Sequence, residues 1–258
     1  MNERVTLVRD GAIAFVEIRR AQRHNALNVE TAEALLGKCL EISQDDRVRA
    51  VVLSGQGASF GVGGDLGELQ GGGAATARRI IEPLHQAAAL LADMDALVIA
   101  KLHGIVAGGS MSLALGCDLA IASESARFNF AYTNIGTTAD VGGSWHLPRI
   151  VGLRRAMQIA LLNEPIDAAQ ALSLGLVNKV VRDEDLDAEV AALASSLANG
   201  PTKAFGRMKR LLRQSGTRGL QDHLAVELQT FVDSAGTRDF AEAIEARLGK
   251  RAPRFVGS

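Results

Sequence analysis

Residues 103–118 read HGIVAGGSMSLALGCD, a segment in which a glycine pair separates two apolar runs. The apolar run 97–102 just before it predicts a buried strand, and Met111 to Leu115 predict a helix with almost no polar side chains. Gly108 and Gly109 permit a tight turn and a close approach by another molecule. A turn of this kind at the start of a buried helix leaves free N–H groups and a partial positive charge. We therefore expect it to bind an anionic oxygen, either of a phosphate or of an activated carbonyl.

Length, charge and cysteine content favour a soluble protein with one large core over a nucleic-acid-binding, disulfide-bonded or membrane protein. The 258 residues can form one large core with an appendage, and a formal net charge of −1 does not indicate a nucleic-acid partner. Cys39 and Cys117 lie far apart in apolar surroundings, which predicts free thiols in a reducing compartment. The start of the chain, residues 1–4, lacks a signal-peptide pattern, and no apolar run approaches the roughly 20 residues of a membrane span. We expect a soluble, cytoplasmic protein with no membrane partner.

The pattern along the chain predicts an α/β fold. Periodicity and turn residues predict strands over 5–9, 12–18, 49–54, 97–102, 119–122 and 176–181, and helices over 29–43, 76–94, 153–162 and 168–174. Residues 55–73 form a glycine-rich loop whose end, Gly71 to Gly73, indicates flexibility, and 128–143 is a second irregular region. From Asp185 onward only helices are expected, with breaks at Gly200 and Ser215. The prediction is an α/β core over residues 1–195 and a helical C-terminal region over 196–258.

Several motifs together resemble the crotonase, or enoyl-CoA hydratase/isomerase, superfamily. In chain order they are Arg23-His24-Asn25-Ala26-Leu27-Asn28, Ser59-Phe60-Gly61-Val62-Gly63-Gly64-Asp65-Leu66, residues 103–118, Ala126-Arg127-Phe128, Gly142-Gly143, residues 147–152, residues 175–177 and residues 250–255. They span nearly the whole chain. The resemblance implies a spiral of repeated ββα units with an α-helical C-terminal trimerisation region, assembled as a homotrimer or a dimer of trimers. It also implies an acyl-CoA thioester substrate, with coenzyme A as part of that substrate and no separate cofactor or metal.

The resemblance also assigns roles to individual residues. It places the two N–H groups of the family's oxyanion hole on Gly64 and Gly109, in agreement with the glycine turns. It places contacts to the CoA moiety on Arg23, Asn25, Leu27, Gly63, Asp65 and Leu66. From their residue types alone, Arg23 is equally a solvated surface charge and Asp65 a helix cap or loop anchor. We expect the walls of the acyl pocket to come from residues 76–90 and from the C-terminal helices.

Two departures from the family pattern decide the predicted chemistry. Hydratases of the family use two glutamates to add water, and Ser112 and Tyr132 stand at those positions here. Neither side chain accepts a proton as a carboxylate does near neutral pH. Hydration by the two-glutamate route is therefore not expected.

One carboxylate remains in the second irregular region, at Asp140. An aspartate in a glycine-rich loop is often a turn former, but this one follows Tyr132 by eight residues in the family's active-site loop. Its context resembles single-carboxylate enoyl-CoA isomerases, including epoxyphenylacetyl-CoA isomerases. In those enzymes one aspartate moves a proton between two carbons. We predict an isomerase in which Asp140 is the proton shuttle and Tyr132 lines or orients the acyl pocket.

Other readings stay open at this point. In 4-chlorobenzoyl-CoA dehalogenases the equivalent aspartate attacks an aromatic ring and a histidine activates water. The position of that histidine corresponds to His85 here. From its residue type alone, His85 is a half-buried helix residue. A dehalogenase-like or other acyl-CoA hydrolase, with Asp140 as nucleophile and His85 as base, is the alternative. An enoyl-CoA hydratase and a non-enzymatic relative are further readings.

Overall fold

A mixed six-stranded sheet and ten helices build the molecule, as seen in a computed structural model that describes residues 3–258. Met1 and Asn2, part of the N-terminal segment considered above, lie outside the described residues. The strands are β1 Val5–Asp10, β2 Ile13–Ile18, β3 Ala50–Gly55, β4 Leu97–Leu102, β5 Ile105–Ala107, β6 Leu119–Ser123, β7 Arg127–Asn129, β8 Ile166–Asp167 and β9 Lys179–Val181. The helices are α1 Val29–Ser43, α2 Leu66–Asp93, α3 Gly108–Gly116, α4 Gly143–Val151, α5 Leu153–Leu162, α6 Ala168–Ser173, α7 Leu186–Ala198, α8 Thr202–Ser215, α9 Leu220–Ala235 and α10 Arg238–Leu248. The predicted α/β class and the helical C-terminal region are confirmed.

The strands are arranged in two sheets. The larger has the order β1-β2-β3-β4-β6-β9, in which β1 and β2 form an antiparallel hairpin and all later neighbours run parallel. The smaller sheet has the order β5-β7-β8. Side chains of a strand alternate between the two faces, so Val51 and Leu53 enter the main core while Val52 packs with α7 on the other face. The sheet is therefore covered on both sides, as is usual for parallel strands.

Local sequence signals placed several elements as predicted. Helix α1 begins after Asn28, whose side chain accepts a hydrogen bond from the amide of Thr31 at 3.0 Å. Helix α6 begins with a capping box formed by Asp167 and Gln170. Strand β4 and helix α5 coincide with their predicted bounds. In each case the signal lies within the element or directly before it.

The predicted start of the second helix is wrong. Helix α2 begins at Leu66, ten residues earlier than expected, because Asp65 caps it by accepting from the amides of Gly67 and Glu68. The segment 71–73 is therefore part of this helix, which bends at Gly73, where φ is 51°. Asp65 thus starts a first helical segment at Leu66, and the non-helical backbone of Gly73 separates it from the segment that contains the predicted helix 76–94.

Other differences lie in short elements. Helix α4, with Pro148 inside it, and the small sheet were not predicted. The last strand is only Lys179–Val181, and the C-terminal region also breaks at Gly236 and ends in a non-helical segment, 249–258.

Cys39 is buried and Cys117 half-buried, and both are free thiols. Over residues 3–258, no helix combines the length and the apolar character that a membrane crossing requires.

Candidate active site

Short backbone pairings bring the two glycine turns together. The amide of Gly61 donates to the carbonyl of Ile105 at 3.0 Å, and the amide of Ala107 donates back to Gly61 at 2.9 Å. On the other side, the amide of Leu27 donates to Gly63 at 2.7 Å and its carbonyl accepts from Asp65 at 2.9 Å. Three chain segments that are distant in sequence therefore lie side by side just before Gly64 and Gly109.

The amides of Gly64 and Gly109 are available to a ligand. Gly109 lies in the first turn of α3, where amides have no partner within the helix, and Ala107 at the cap position supplies no side-chain acceptor. Within the part of the chain that the structure describes, no group accepts a hydrogen bond from either amide. Both glycines line one cavity of about 490 Å³. Two glycines whose amides have no acceptor among the described residues thus line a common space, in which an oxygen carrying negative charge would be stabilised.

Gly63 can only be a glycine. Its φ is 88°, and a Cβ atom there would lie 3.0 Å from the amide nitrogen of Gly109. The Ser110 Oγ accepts a hydrogen bond from the Gly63 amide at 3.1 Å, which ties this loop to the first turn of α3. The close approach of the loop to α3 therefore depends on the missing side chain.

Asp140 lies beside the N-terminus of α3 and lines the same cavity. A Cβ atom on Gly109 would be 3.3 Å from its Oδ1. Tyr132 donates its hydroxyl hydrogen to Asp140 Oδ1, and the Ser112 Oγ lies 2.8 Å from the same hydroxyl oxygen. Among the residues in the described range, none donates a hydrogen bond to Oδ2. One carboxylate oxygen is thus held while the other is free.

The surroundings of Asp140 and Tyr132 change the pKa of both side chains. Burial raises the pKa of the Asp140 carboxyl above its ordinary value, although the hydrogen bond from Tyr132 acts in the opposite direction. Burial, followed by the charge of Asp140, raises the pKa of Tyr132 far above its ordinary value. Tyr132 therefore stays a hydroxyl donor, and the carboxylate it contacts has an increased tendency to accept a proton.

The remaining wall of the cavity is mostly apolar. The aliphatic side chains that line it are Val62, Leu66, Leu69, Ala77, Ile80, Ile81, Ala131 and Ile135. Helix α2 contributes most of them, as expected for residues 76–90. No lining residue lies beyond Asp140, so the expected contribution of the C-terminal helices is wrong within a single chain, because those helices pack elsewhere. Asp140 is the one carboxylate among the lining residues.

The residues expected to contact CoA differ in burial and in the contacts they make. Asp65 caps α2 and pairs with Arg20, while Arg23 is exposed on the 3-10 helix Ala21–Arg23. Asn25 is fully buried, and its amide group donates to the carbonyls of Gln56 and Ser59. Leu27 is buried in the core. Asn25 therefore acts inside the protein, where it ties the loop together, because neither its side chain nor its main chain is exposed.

His85 is exposed on α2, not half-buried as expected, and it does not line the cavity that holds Asp140. It borders a neighbouring cavity of about 470 Å³, together with Val141, His146 and Arg213. Its Nε2 accepts a hydrogen bond from the amide of Val141 at 3.1 Å. The structure therefore brings Gly64, Gly109, Tyr132 and Asp140 together and leaves His85 outside that group.

The supporting roles of Ser110 and Ser112 were missed from the sequence. Both are fully buried in α3, where nearly every other side chain is apolar. A buried hydroxyl needs a hydrogen-bond partner, so two serines in an apolar helix were a usable signal. Their partners, Gly63 and Tyr132, are distant in sequence and could not be identified from it. No cluster of three or more possible metal ligands occurs within residues 3–258.

Comparison with known proteins identifies the family of the chain. The family model described as enoyl-CoA hydratase/isomerase matches residues 9–258. The 1,2-epoxyphenylacetyl-CoA isomerase of Escherichia coli K12 is 35% identical over 253 residues, with 95% of each chain covered. A 4-chlorobenzoyl coenzyme A dehalogenase of an Arthrobacter species is 32% identical over 236 residues, covering 90% of this chain and 86% of that one.

A solved structure confirms the fold. A putative enoyl-CoA hydratase/isomerase from Mycobacterium abscessus superposes with a TM-score of 0.93 at 34% identity, covering 98% of this chain and 100% of that chain. The names of these three proteins differ in reaction, although each matches nearly the full length of the chain. The chain belongs to the enoyl-CoA hydratase/isomerase, or crotonase, family.

Proposed function

We propose that the protein is an acyl-CoA isomerase that moves a proton along an enoyl or related acyl group. The observation that carries the proposal is the free Asp140 Oδ2 beside two unpaired amides in one apolar cavity. The thioester oxygen would accept hydrogen bonds from Gly64 and Gly109, which stabilise the enolate formed when a proton leaves carbon. Asp140 would remove that proton and return it to another carbon. The reaction needs no cofactor beyond the CoA of the substrate itself.

The surroundings of Asp140 suit proton transfer. A base that exchanges protons with carbon works best when its pKa approaches the working pH, and burial raises the pKa of Asp140 in that direction. The absence of a second carboxylate among the lining residues is compatible with isomerisation, because no water needs activation. The 1,2-epoxyphenylacetyl-CoA isomerase, at 35% identity, supports this class of reaction.

The experiment compares two substrates and two proteins. Purified wild type and Asp140→Asn are assayed with a 3-enoyl-CoA for isomerisation and with crotonyl-CoA for hydration. We expect isomerisation by the wild type and a loss of about 10²- to 10⁴-fold in kcat for the variant, the range found for removal of a general base. Isomerisation that survives the substitution would exclude Asp140 as the base. Rapid hydration of crotonyl-CoA would instead favour a hydratase.

The alternative is hydrolysis with Asp140 as the nucleophile, favoured by the free Oδ2 and by the 32% identical dehalogenase. A nucleophile must be ionised, and burial works against ionisation of Asp140. The Nε2 of His85 is also engaged by Val141. Incubation with a 4-halobenzoyl-CoA in ¹⁸O-labelled water, followed by mass spectrometry of the peptide containing Asp140, distinguishes the two: incorporation of the label would replace the isomerase proposal.

A further inference from the structure

The residue after Asp140 has an unusual backbone conformation. Val141 has a φ of 48°, in the left-handed region that β-branched residues seldom adopt, and it is 1% exposed. Such a conformation persists only where the surrounding structure enforces it, and it is often found at functional sites. Something must therefore hold the Val141 peptide in place.

The group that holds this peptide is His85. Its Nε2 accepts the hydrogen bond of the Val141 amide at 3.1 Å, across 56 residues of sequence. Within the described chain no other acceptor contacts this amide, and the burial of Val141 leaves little access for water. A buried amide without an acceptor is costly, so the conformation depends on the histidine. An imidazole nitrogen accepts only where it carries no hydrogen, so this bond requires Nε2 to be the acceptor atom of the ring.

Other bonds restrain Asp140 around this point. The carbonyl of Asp140 accepts from the amide of Gly143 at 2.8 Å, and Tyr132 holds Oδ1. Tyr132 thus holds the side chain of Asp140, and Gly143 at the start of α4 holds its carbonyl. His85 on α2 holds the peptide that follows. Together these contacts leave Oδ2 as the carboxylate oxygen that is free to react.

We propose that His85 is a positioning residue: by accepting the Val141 amide it holds the strained peptide that aims Asp140 into the acyl cavity. The inference rests on the proposed function, in which Asp140 moves the proton. It assigns His85 a role different from that of a base that activates water, since the nitrogen needed for such a base is occupied. Helix α2 also forms the cavity wall through Ala77, Ile80 and Ile81, so the same helix contacts the acyl group and orients the acid.

Substitutions that keep or remove the acceptor test the proposal. His85→Leu removes it, whereas His85→Gln places an amide oxygen near the position of Nε2. Gln86→Leu, at the exposed neighbouring position on α2, is the matched control. We expect at least a tenfold fall in kcat for His85→Leu with little change in KM, recovery of most of that loss by His85→Gln, and near-normal kinetics for Gln86→Leu.

A second measurement does not depend on turnover. Amide hydrogen exchange at Val141 is expected to be at least tenfold faster in His85→Leu than in the wild type and close to the wild-type rate in His85→Gln. An inactive wild type that shows this exchange pattern would contradict the proposed function and leave the restraint on Val141 established. Wild-type kinetics in His85→Leu would overturn the positioning role.

Equal loss of kcat in His85→Leu and His85→Gln, with normal hydrogen exchange in His85→Gln, would also overturn the positioning role and would indicate proton transfer by the imidazole. Should His85→Leu fail to fold, His85→Asn, whose shorter side chain does not reach Val141, replaces it in both measurements.

Discussion

At the scale of single residues, Asp140 is subject to two opposing influences. Burial disfavours its charged form, and the hydroxyl of Tyr132 stabilises that form by hydrogen bonding. The Ser112 hydroxyl completes a chain of three groups, because Tyr132 accepts from it while donating to Asp140. The reactivity of the carboxylate therefore depends on residues that do not carry charge themselves.

Tyr132→Phe tests this dependence. Without the hydroxyl, the largest of the influences that oppose burial is lost, and the pKa of Asp140 rises further. Because the ionised form is the base, the rising limb of the kcat/KM profile should move to higher pH, which steady-state assays over a pH series measure. Ser112→Ala should move it in the same direction by a smaller amount, since it weakens only the bond to Tyr132. A profile that Tyr132→Phe leaves in place would show that the hydrogen bond does not govern this ionisation.

Asp140 should also make stability dependent on pH. Its folded-state pKa is raised, so below the ordinary aspartate value both states are protonated and folding carries no penalty. As pH rises through the raised value, the unfolded chain ionises more readily and the protein loses stability. Asp140→Asn should therefore match the wild type at low pH and be more stable near neutral pH, as urea unfolding at several pH values would reveal. Equal stability of the two proteins at every pH would contradict this prediction.

At the scale of elements, the approach of the Gly63 loop to helix α3 creates the pair of donor amides. Gly63→Ala would place a Cβ atom 3.0 Å from the Gly109 nitrogen and would force an L-residue to a φ of 88°. We expect the loop to move away and kcat to fall by about 10²- to 10³-fold, the cost of removing one oxyanion donor. Steady-state kinetics provide the measurement.

Gly71→Ala is the matched control for that substitution. Gly71 lies in helix α2, and an added Cβ would have no heavy atom within 4 Å. Replacing a helix-interior glycine by alanine stabilises by roughly 0.5–1 kcal/mol. Activity close to the wild-type level and a slightly raised Tm are expected. A similar loss of activity in both variants would mean that the spacing of the amides is not what Gly63→Ala disturbs.

At the scale of the whole molecule, one apolar face of helix α9 is left exposed by the described residues. Helix α9 has no buried residue and exposes Leu220, Leu224, Leu228, Phe231 and Val232 along one side. An exposed apolar surface of this kind marks an interaction site. It agrees with the prediction, still untested, that the C-terminal region assembles a homotrimer or a dimer of trimers.

Leu224→Glu should dissociate that assembly, because a charge would be buried at the contact between subunits. Light scattering after size-exclusion chromatography gives the mass of each protein. Gln229→Glu adds the same charge on the opposite side of α9 and should leave the mass unchanged. A wild type that is monomeric at micromolar concentration would refute the predicted assembly, and an unaltered mass for Leu224→Glu would exclude this face as its interface.

The sequence alone determined the features that depend on neighbours along the chain. The cap at Asn28, the capping box at Asp167, the buried strand β4 and the glycine pair that opens α3 were all predictable, because propensity and capping act over a few residues. Only the tertiary structure decided which distant groups meet. It places Asp140 beside Gly109 and Ser112 against Tyr132, and it turns His85 to the Val141 amide and away from the acyl cavity. Such contacts arise from the packing of a helix and loops separated by tens of residues. A local sequence pattern does not specify which distant group a side chain will contact.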